Sequence, residues 1–295
     1  MPIRNVQKSG NMFYVYLPSA WCKKHGISQS SKIVAEEAPD GSLVIAQSAP
    51  EKAARSISIE LKECSIEALE KLIMACYVNP AKSFNIKIRN PPKLESLLSK
   101  KGLFGIELIE IGGKTVSCES TITIESPFAT LRTMVQRTRT MVFAMTGNFD
   151  PKIIEKHEEE IDRKKVLIEK AIISSLSGNM PPKIRPIDLH YISRVSKNLE
   201  SAADHMLLLE KSDGKFLEGL LKAMDCLKRI FSERSEEKNA GIGIETASEF
   251  IDLVESLPDI RARDPKGYGK ARIKGHLLSV SEDLVDWAVT NRLNN

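Results

Sequence analysis

From Ser126-Pro127 to the end of the chain, apolar residues recur at helical spacing in long segments separated by short polar or glycine- and proline-marked breaks. This pattern leaves few folds open. Helices that long, joined by turns that short, pack antiparallel to their chain neighbours and bury their apolar stripes against one another. Ser126 as N-cap and Pro127 at the first helical position make a good helix start. The periodicity predicts helices near 127–146, 151–176, 186–211, 215–237, 243–256 and 268–292. Residues 195–204 and 277–286 resemble one another, and each ends the third helix of a run of three. Two three-helix units in tandem are therefore expected over 126–295.

The first 125 residues have another texture. Over 1–48 there are short β-like runs at 12–17, 32–37 and 42–46, with a short helical stretch at 19–25 stopped by Gly26 and a turn signal at Asp40-Gly41. Over 52–125 the expected order is strand (56–61), helix (65–77), strand (84–88), short helix (92–101), then strands 105–111 and 115–124 about Gly112-Gly113. That order suits a small α/β domain. The expected class is multidomain α+β, with an N-terminal β module, a small α/β middle domain and an all-α C-terminal region. A chain of 295 residues is too long for one ordinary core.

No window approaches the roughly 18 consecutive apolar residues of a membrane span. The five cysteines form no CxxC pair, which suits reduced thiols in a cytosol rather than a disulfide frame or zinc site. A cytoplasmic protein is expected. The net charge of +4 permits an acidic partner such as DNA without demanding one. No nucleophile-elbow serine or glycine-rich phosphate loop is present.

The helical region carries three Glu-x-x-x-Asp pairs: Glu158/Asp162, Glu200/Asp204 and Glu282/Asp286. A spacing of four puts both carboxylates on one helix face, one turn apart. Glu158 and Asp162 flank the stripe Ile154, Ile161, Ile168 and Ile172. Glu200 and Asp204 flank the stripe Ile192, Val195, Leu199, Ala203 and Met206. Like charges at this spacing repel, and facing pairs repel more strongly, so a bound cation would relieve them. Hard oxygen donors suit Mg²⁺, Ca²⁺ and Mn²⁺, and iron in multi-carboxylate bundles. Acidic residues are also common on solvated helix faces, so the spacing alone leaves both readings open. His157 and His205 each adjoin an acidic pair.

The stretch Ile154-Glu-Lys-His-Glu-Glu-Glu-Ile-Asp162 resembles the second helix of a PhoU repeat. Arg185-Pro-Ile-Asp-Leu189, followed by Ile192 to Glu200-Ser-Ala-Ala-Asp204-His, resembles its third. The resemblance, to archaeal phosphate-uptake regulators of the PhoU type, covers about 127–295. It implies a regulator that restrains phosphate transport and holds metal (iron, zinc, magnesium or manganese) through Glu158, Asp162, Glu200, Asp204, Glu282 and Asp286. It also implies a phosphate transporter or phosphate-sensing component as partner. Two departures stand out. The fifth helix offers only Glu245 and Glu249, and Ser201 stands where the pattern usually has arginine.

The N-terminal stretches 9–18, 20–27 and 40–45 resemble the AbrB/SpoVT swapped-hairpin family: strand, Leu-Pro, short helix, Gly-Ile, strand, Asp-Gly turn, strand. So few residues cannot bury a core alone. The resemblance implies a homodimer whose basic face meets DNA. Arg4, Lys8, Lys23, Lys24 and His25 would contact phosphates, beside Ser9 and Asn11 as polar contacts. No enzyme activity is expected. The alternatives are a carboxylate-bridged metal enzyme, disfavoured because no Glu-x-x-His pair is present, and a dimeric scaffold that does not bind DNA.

Overall fold

In the computed structural model, the described residues are 3–37, 41–47, 56–81, 83–94, 97, 109–119, 126–147, 149–177, 184–233, 242–258, 260 and 264–293. Contacts divide the chain into Met1–Ala53 and Ala54–Asn295.

The first unit is built from two hairpins and a short helix. Gly10 takes φ 60°, a left-handed value that lets Gly10-Asn11 close a two-residue turn between β1 (Gln7–Ser9) and β2 (Met12–Tyr14). Helix α1 (Ser19–Lys24) stops at Gly26, φ 62°, where the Ile27 N–H donates back to the Cys22 carbonyl at 2.8 Å. Strands β3 (Ile33–Glu37) and β4 (Leu43–Gln47) pair antiparallel. Gly41 has φ 78°, while Asp40 of the expected turn lies outside the described residues. The strand expected over 12–17 is shortened to Met12–Tyr14, and β1 was not expected.

In the second unit a β-α-β crossover comes first. Ser65 caps α2 (Ile66–Val78) by accepting the Ala68 N–H at 3.2 Å. The helix returns the chain so that β5 (Ser56–Glu63) and β6 (Ser83–Asn90) run parallel. Strands β7 (Ile109–Gly112) and β8 (Thr115–Glu119) add antiparallel, giving the order β5-β6-β8-β7. Alternation puts Phe84, Ile86, Ile88, Val116 and Cys118 on one face, where they pack with Leu69, Ile73, Cys76 and Tyr77 of α2. The expected helix 92–101 and the outer parts of strands 105–111 and 115–124 lie largely outside the described residues.

The helical region follows: α3 (Pro127–Thr146), α4 (Pro151–Leu176), α5 (Pro186–Met206), α6 (Gly214–Glu233), α7 (Ile244–Glu255) and α8 (Pro265–Leu293). Proline occupies the first turn of α3, α4 and α5, and the Asp150 side chain accepts the Lys152 N–H at the start of α4. Helices α3, α4 and α5 pack on one another, α6 packs on α7 and α7 on α8, and the two sets meet where α3 touches α6 and α5 touches α8. One apolar core runs through all six, and both predicted isoleucine and valine-leucine stripes lie in it. Helix α4 also packs on α2: Val166 lies against the α/β core, and the buried Lys170 ammonium sits 4.1 Å above the Tyr77 ring.

Two boundaries differ from expectation. Helix α5 ends at Met206, not 211, because Leu207, Leu208 and Leu209 turn through short i→i−3 bonds before a 3₁₀ turn, Lys211–Asp213. Asp213 accepts the Glu210 N–H and pairs with Lys270 of α8, which fixes the corner. Helix α8 starts at Pro265, not near 268, and the Asp264 side chain accepts the Gly267 N–H at 2.6 Å in its first turn. No described helix is long and apolar enough to cross a membrane.

Candidate functional site

Asp150-Pro151 fixes the start of α4, and Ile154, Ile161 and Ile168 then set its rotation by burying in the core. That rotation carries Glu158 and Asp162 to the border between α4 and α5. On α5 the buried Val195, Leu199, Ala202, Ala203 and Met206 leave Glu200 and Asp204 on the matching border. Four of the six sequence-predicted ligands therefore meet along one seam.

Their geometry is graded. Glu158, Asp162 and Asp204 each offer a carboxylate oxygen, and these oxygens lie within 4.8 Å of one another. Glu158 is buried, Asp162 half-buried and Asp204 exposed, so the group opens at the surface. Asp162 Oδ1 is shut off from water without a hydrogen-bond partner. Its carboxyl is pushed up to about 7 from an ordinary 3.8, first by burial and then by repulsion from Glu158, Asp204 and Glu200, with Lys165 opposing. Glu200 lies beside this group, half-buried, accepting a hydrogen bond from Ser201 Oγ at 3.2 Å. Its carboxyl is also raised, by burial and by Asp204, again against Lys165. Ser201 thus places a neutral hydroxyl on the neighbouring carboxylate.

An ion bound by oxygens at about 2.0–2.6 Å has opposite ligands about 4–5 Å apart. Three oxygens within 4.8 Å thus fit around one cation. The donor set is wholly anionic oxygen, which matches a hard divalent ion. His157 lies next to Glu158 with a buried Nδ1 that makes no hydrogen bond. Its imidazole is pushed down by burial and by Arg137, against Glu160.

The third pair is not brought to this seam. Glu282 and Asp286 are exposed on α8, and the acid that α8 buries is Asp283, ion-paired with Arg194 of α5. Leu284, Trp287 and Val280 fix the buried side of α8, and Asp283 lies one turn before Trp287 on that side. On α7, Glu249 is ion-paired with Arg229, which holds its carboxyl below the usual range. His205 stacks on His276, centroids 5.7 Å apart, and meets the Tyr268 ring edge-on. Sequence reasoning missed Asp283 and Lys165. The second had a signal, three residues after Asp162 and four before Glu169.

In the N-terminal unit Arg4, Lys8, Ser9, Asn11, Lys23 and Lys24 are all exposed. The Lys8 ammonium sits 5.5 Å over the Phe13 ring, and Lys23 and Lys24 end α1. Among its described residues none is buried, and Val6, Met12, Phe13, Val15, Tyr16, Val34, Leu43 and Val44 are exposed apolar side chains.

No protein-family model, curated protein or solved structure matches this chain.

Proposed function

We propose that this chain is a cation-binding regulator of phosphate uptake. A divalent cation is held between α4 and α5, and DNA is bound by a homodimer of the N-terminal unit. The observation that carries the cation is the convergence of Glu158, Asp162 and Asp204 oxygens within 4.8 Å around a carboxyl whose ionisation its neighbours resist. Phosphate and its transporter come from the resemblance in helix order and acidic placement. The exposed apolar hairpins, which have no core of their own, support the second copy, and the exposed Arg4, Lys8, Lys23 and Lys24 support the DNA. None of the five cysteines is in a disulfide, which suits a reducing cytosol.

Glu158, from the buried side, and Asp204, from the surface side, would hold the ion on either flank of Asp162. A bound divalent cation supplies positive charge that turns mutual repulsion into shared attraction. Without it, Asp162 keeps its proton near neutral pH or pushes α4 from α5. With all three ionised and neutralised, the seam is drawn together. Regulation then reads out as the spacing of two helices that also touch α2, α3 and α8.

The test uses the purified full-length chain. Elemental analysis is expected to find a divalent metal or iron that Asp162→Asn and Asp204→Asn both lose. Deleting the gene is expected to raise phosphate uptake and transporter transcripts. Wild-type protein that neither carries nor takes up metal would end the cation reading, and unchanged uptake would end the phosphate reading.

A further inference from the structure

We propose that Arg272 and His276, at the α5–α8 seam, hold a tetrahedral oxyanion that carries a proton: hydrogen phosphate in preference to sulfate. The site is separate from the α4–α5 carboxylates and does not depend on a cation there.

The direction of each hydrogen bond along this seam is set from one end. Asp283, buried and ion-paired with Arg194, accepts. Asn198 of α5 therefore turns its amide Nδ2 to Asp283 Oδ2, at 3.5 Å, which leaves its carbonyl Oδ1 facing His276. That oxygen also can only accept, so His276 Nδ1, 3.4 Å away, carries the ring proton and donates it. Burial, then Arg272 and His205, push this imidazole down, which keeps it neutral near pH 7. Nε2 is left as a bare acceptor. Arg272 Nη2 faces it at 3.4 Å, long for a hydrogen bond.

The surroundings suit an anion. Tyr268, Arg272 and His276 recur every four residues, so they share one face of α8. His205 of α5 lies along that face, stacked on His276 and edge-on to Tyr268, each at 5.7 Å between centroids. Arg272 and Tyr268 are exposed, so the group opens to solvent. Among the described residues Arg272 has no carboxylate partner, whereas Arg185, Arg194 and Arg229 each have one. A fixed positive charge thus stands beside a fixed acceptor. HPO₄²⁻ satisfies both: one oxygen accepts from Arg272, and the P–OH donates to His276 Nε2. SO₄²⁻ has the same shape and charge but no proton, so an oxygen lone pair would face the nitrogen lone pair. The selectivity lies in the tautomer, and Asn198 is the positioning residue that sets it.

The experiment is calorimetric titration of the full-length chain with inorganic phosphate and with sulfate, at pH 7.5 and fixed ionic strength. Chelator is present throughout, so no metal at the other seam contributes. The variants are Arg272→Met, His276→Phe, which keeps the stacked ring, and Asn198→Ala. Far-UV circular dichroism checks that each keeps its helices. Wild type is expected to bind phosphate at least about tenfold more tightly than sulfate, and Arg272→Met and His276→Phe each to weaken phosphate by at least about tenfold. Asn198→Ala frees the His276 proton to move to Nε2 and is expected to bring the two anions within about threefold of each other. A merely structural role for Asn198 would weaken both alike and leave the preference standing. Equal affinity for the two anions in wild type overturns the proposal, as does phosphate binding unchanged in folded Arg272→Met or His276→Phe. Asn198→Ala that keeps the wild-type preference overturns it too, and so does wild type that binds no phosphate.

Discussion

Replacing Asp162 by asparagine removes one charge from the seam and keeps the shape, so it separates the strain of the acidic group from its use. The Asp162 carboxyl sits at about 7 in the folded protein against an ordinary 3.8. Below about pH 4 the folded and unfolded states are both protonated, and the group has no effect on stability. Between about 4 and 7 the unfolded chain releases the proton while the folded one retains it, so metal-free stability falls as pH rises. Above about 7 the carboxyl is ionised in both states and the whole penalty is present. At about 1.4 kcal/mol per tenfold in proton affinity, the penalty is at most about 4 kcal/mol. Asp162 is only half-buried, and solvent screening reduces this to about 2 kcal/mol.

For a unit of this size that corresponds to a Tm difference of about 4–8 °C. Scanning calorimetry in chelator is therefore expected to show Asp162→Asn melting above wild type at pH 8 and level with it at pH 4. In excess Mn²⁺ the order reverses, because only wild type gains binding free energy, about 2.7 kcal/mol at a hundredfold excess over Kd. A metal-free wild type whose Tm is flat from pH 4 to 8 and equal to that of Asp162→Asn would refute the claim that like charges are forced together at this seam.

Other substitutions probe the rest of the fold. Arg194→Ala leaves the buried Asp283 without its ion pair and is expected to cost about 2–3 kcal/mol in urea unfolding, most of it regained in Arg194→Ala/Asp283→Asn. Lys170→Met keeps the side-chain stem beside Tyr77 and drops a charge whose protonation burial disfavours. It is expected to raise Tm at pH 7, whereas Lys170→Ala lowers it. Val34→Asp is expected to convert a dimer into a monomer by light scattering of the full-length chain. Lys8→Ala and Lys23→Ala are each expected to reduce the slope of log affinity for DNA against log salt by about 1.

The parts of this fold that could be read in the sequence are those where one element has a single buried side. Helices α4 and α5 each bury an apolar stripe at regular spacing, so Ile154, Ile161, Ile168, Val195 and Leu199 identify the core and, by difference, the acidic border. Helix α8 packs against both α5 and α7. Its apolar residues therefore spread around the helix, its phase is not fixed by periodicity, and the Glu282/Asp286 pair was singled out while Asp283 was missed. The end of α5 was misplaced because Leu207, Leu208 and Leu209 continue the apolar pattern past the point where the backbone turns. Strand β1, three residues with no alternation to read, was visible only in the Gly10-Asn11 turn that follows it.

The remaining buried acids of the helical region show what the seam lacks. Asp188 is held by Arg185 at 2.9 Å and accepts the Trp287 indole N–H. Asp213 has Lys270, and Asp283 has Arg194. Each of these carboxylates sits where the fold supplies an opposite charge and hydrogen-bond donors, as burial of a charge requires. Asp162 has instead Glu158, Glu200 and Asp204 around it, with Lys165 committed to Glu169 one turn on. The cation proposed for the α4–α5 seam would do for Asp162 what Arg185, Lys270 and Arg194 do for those three acids, and its binding would give the helix pair two states.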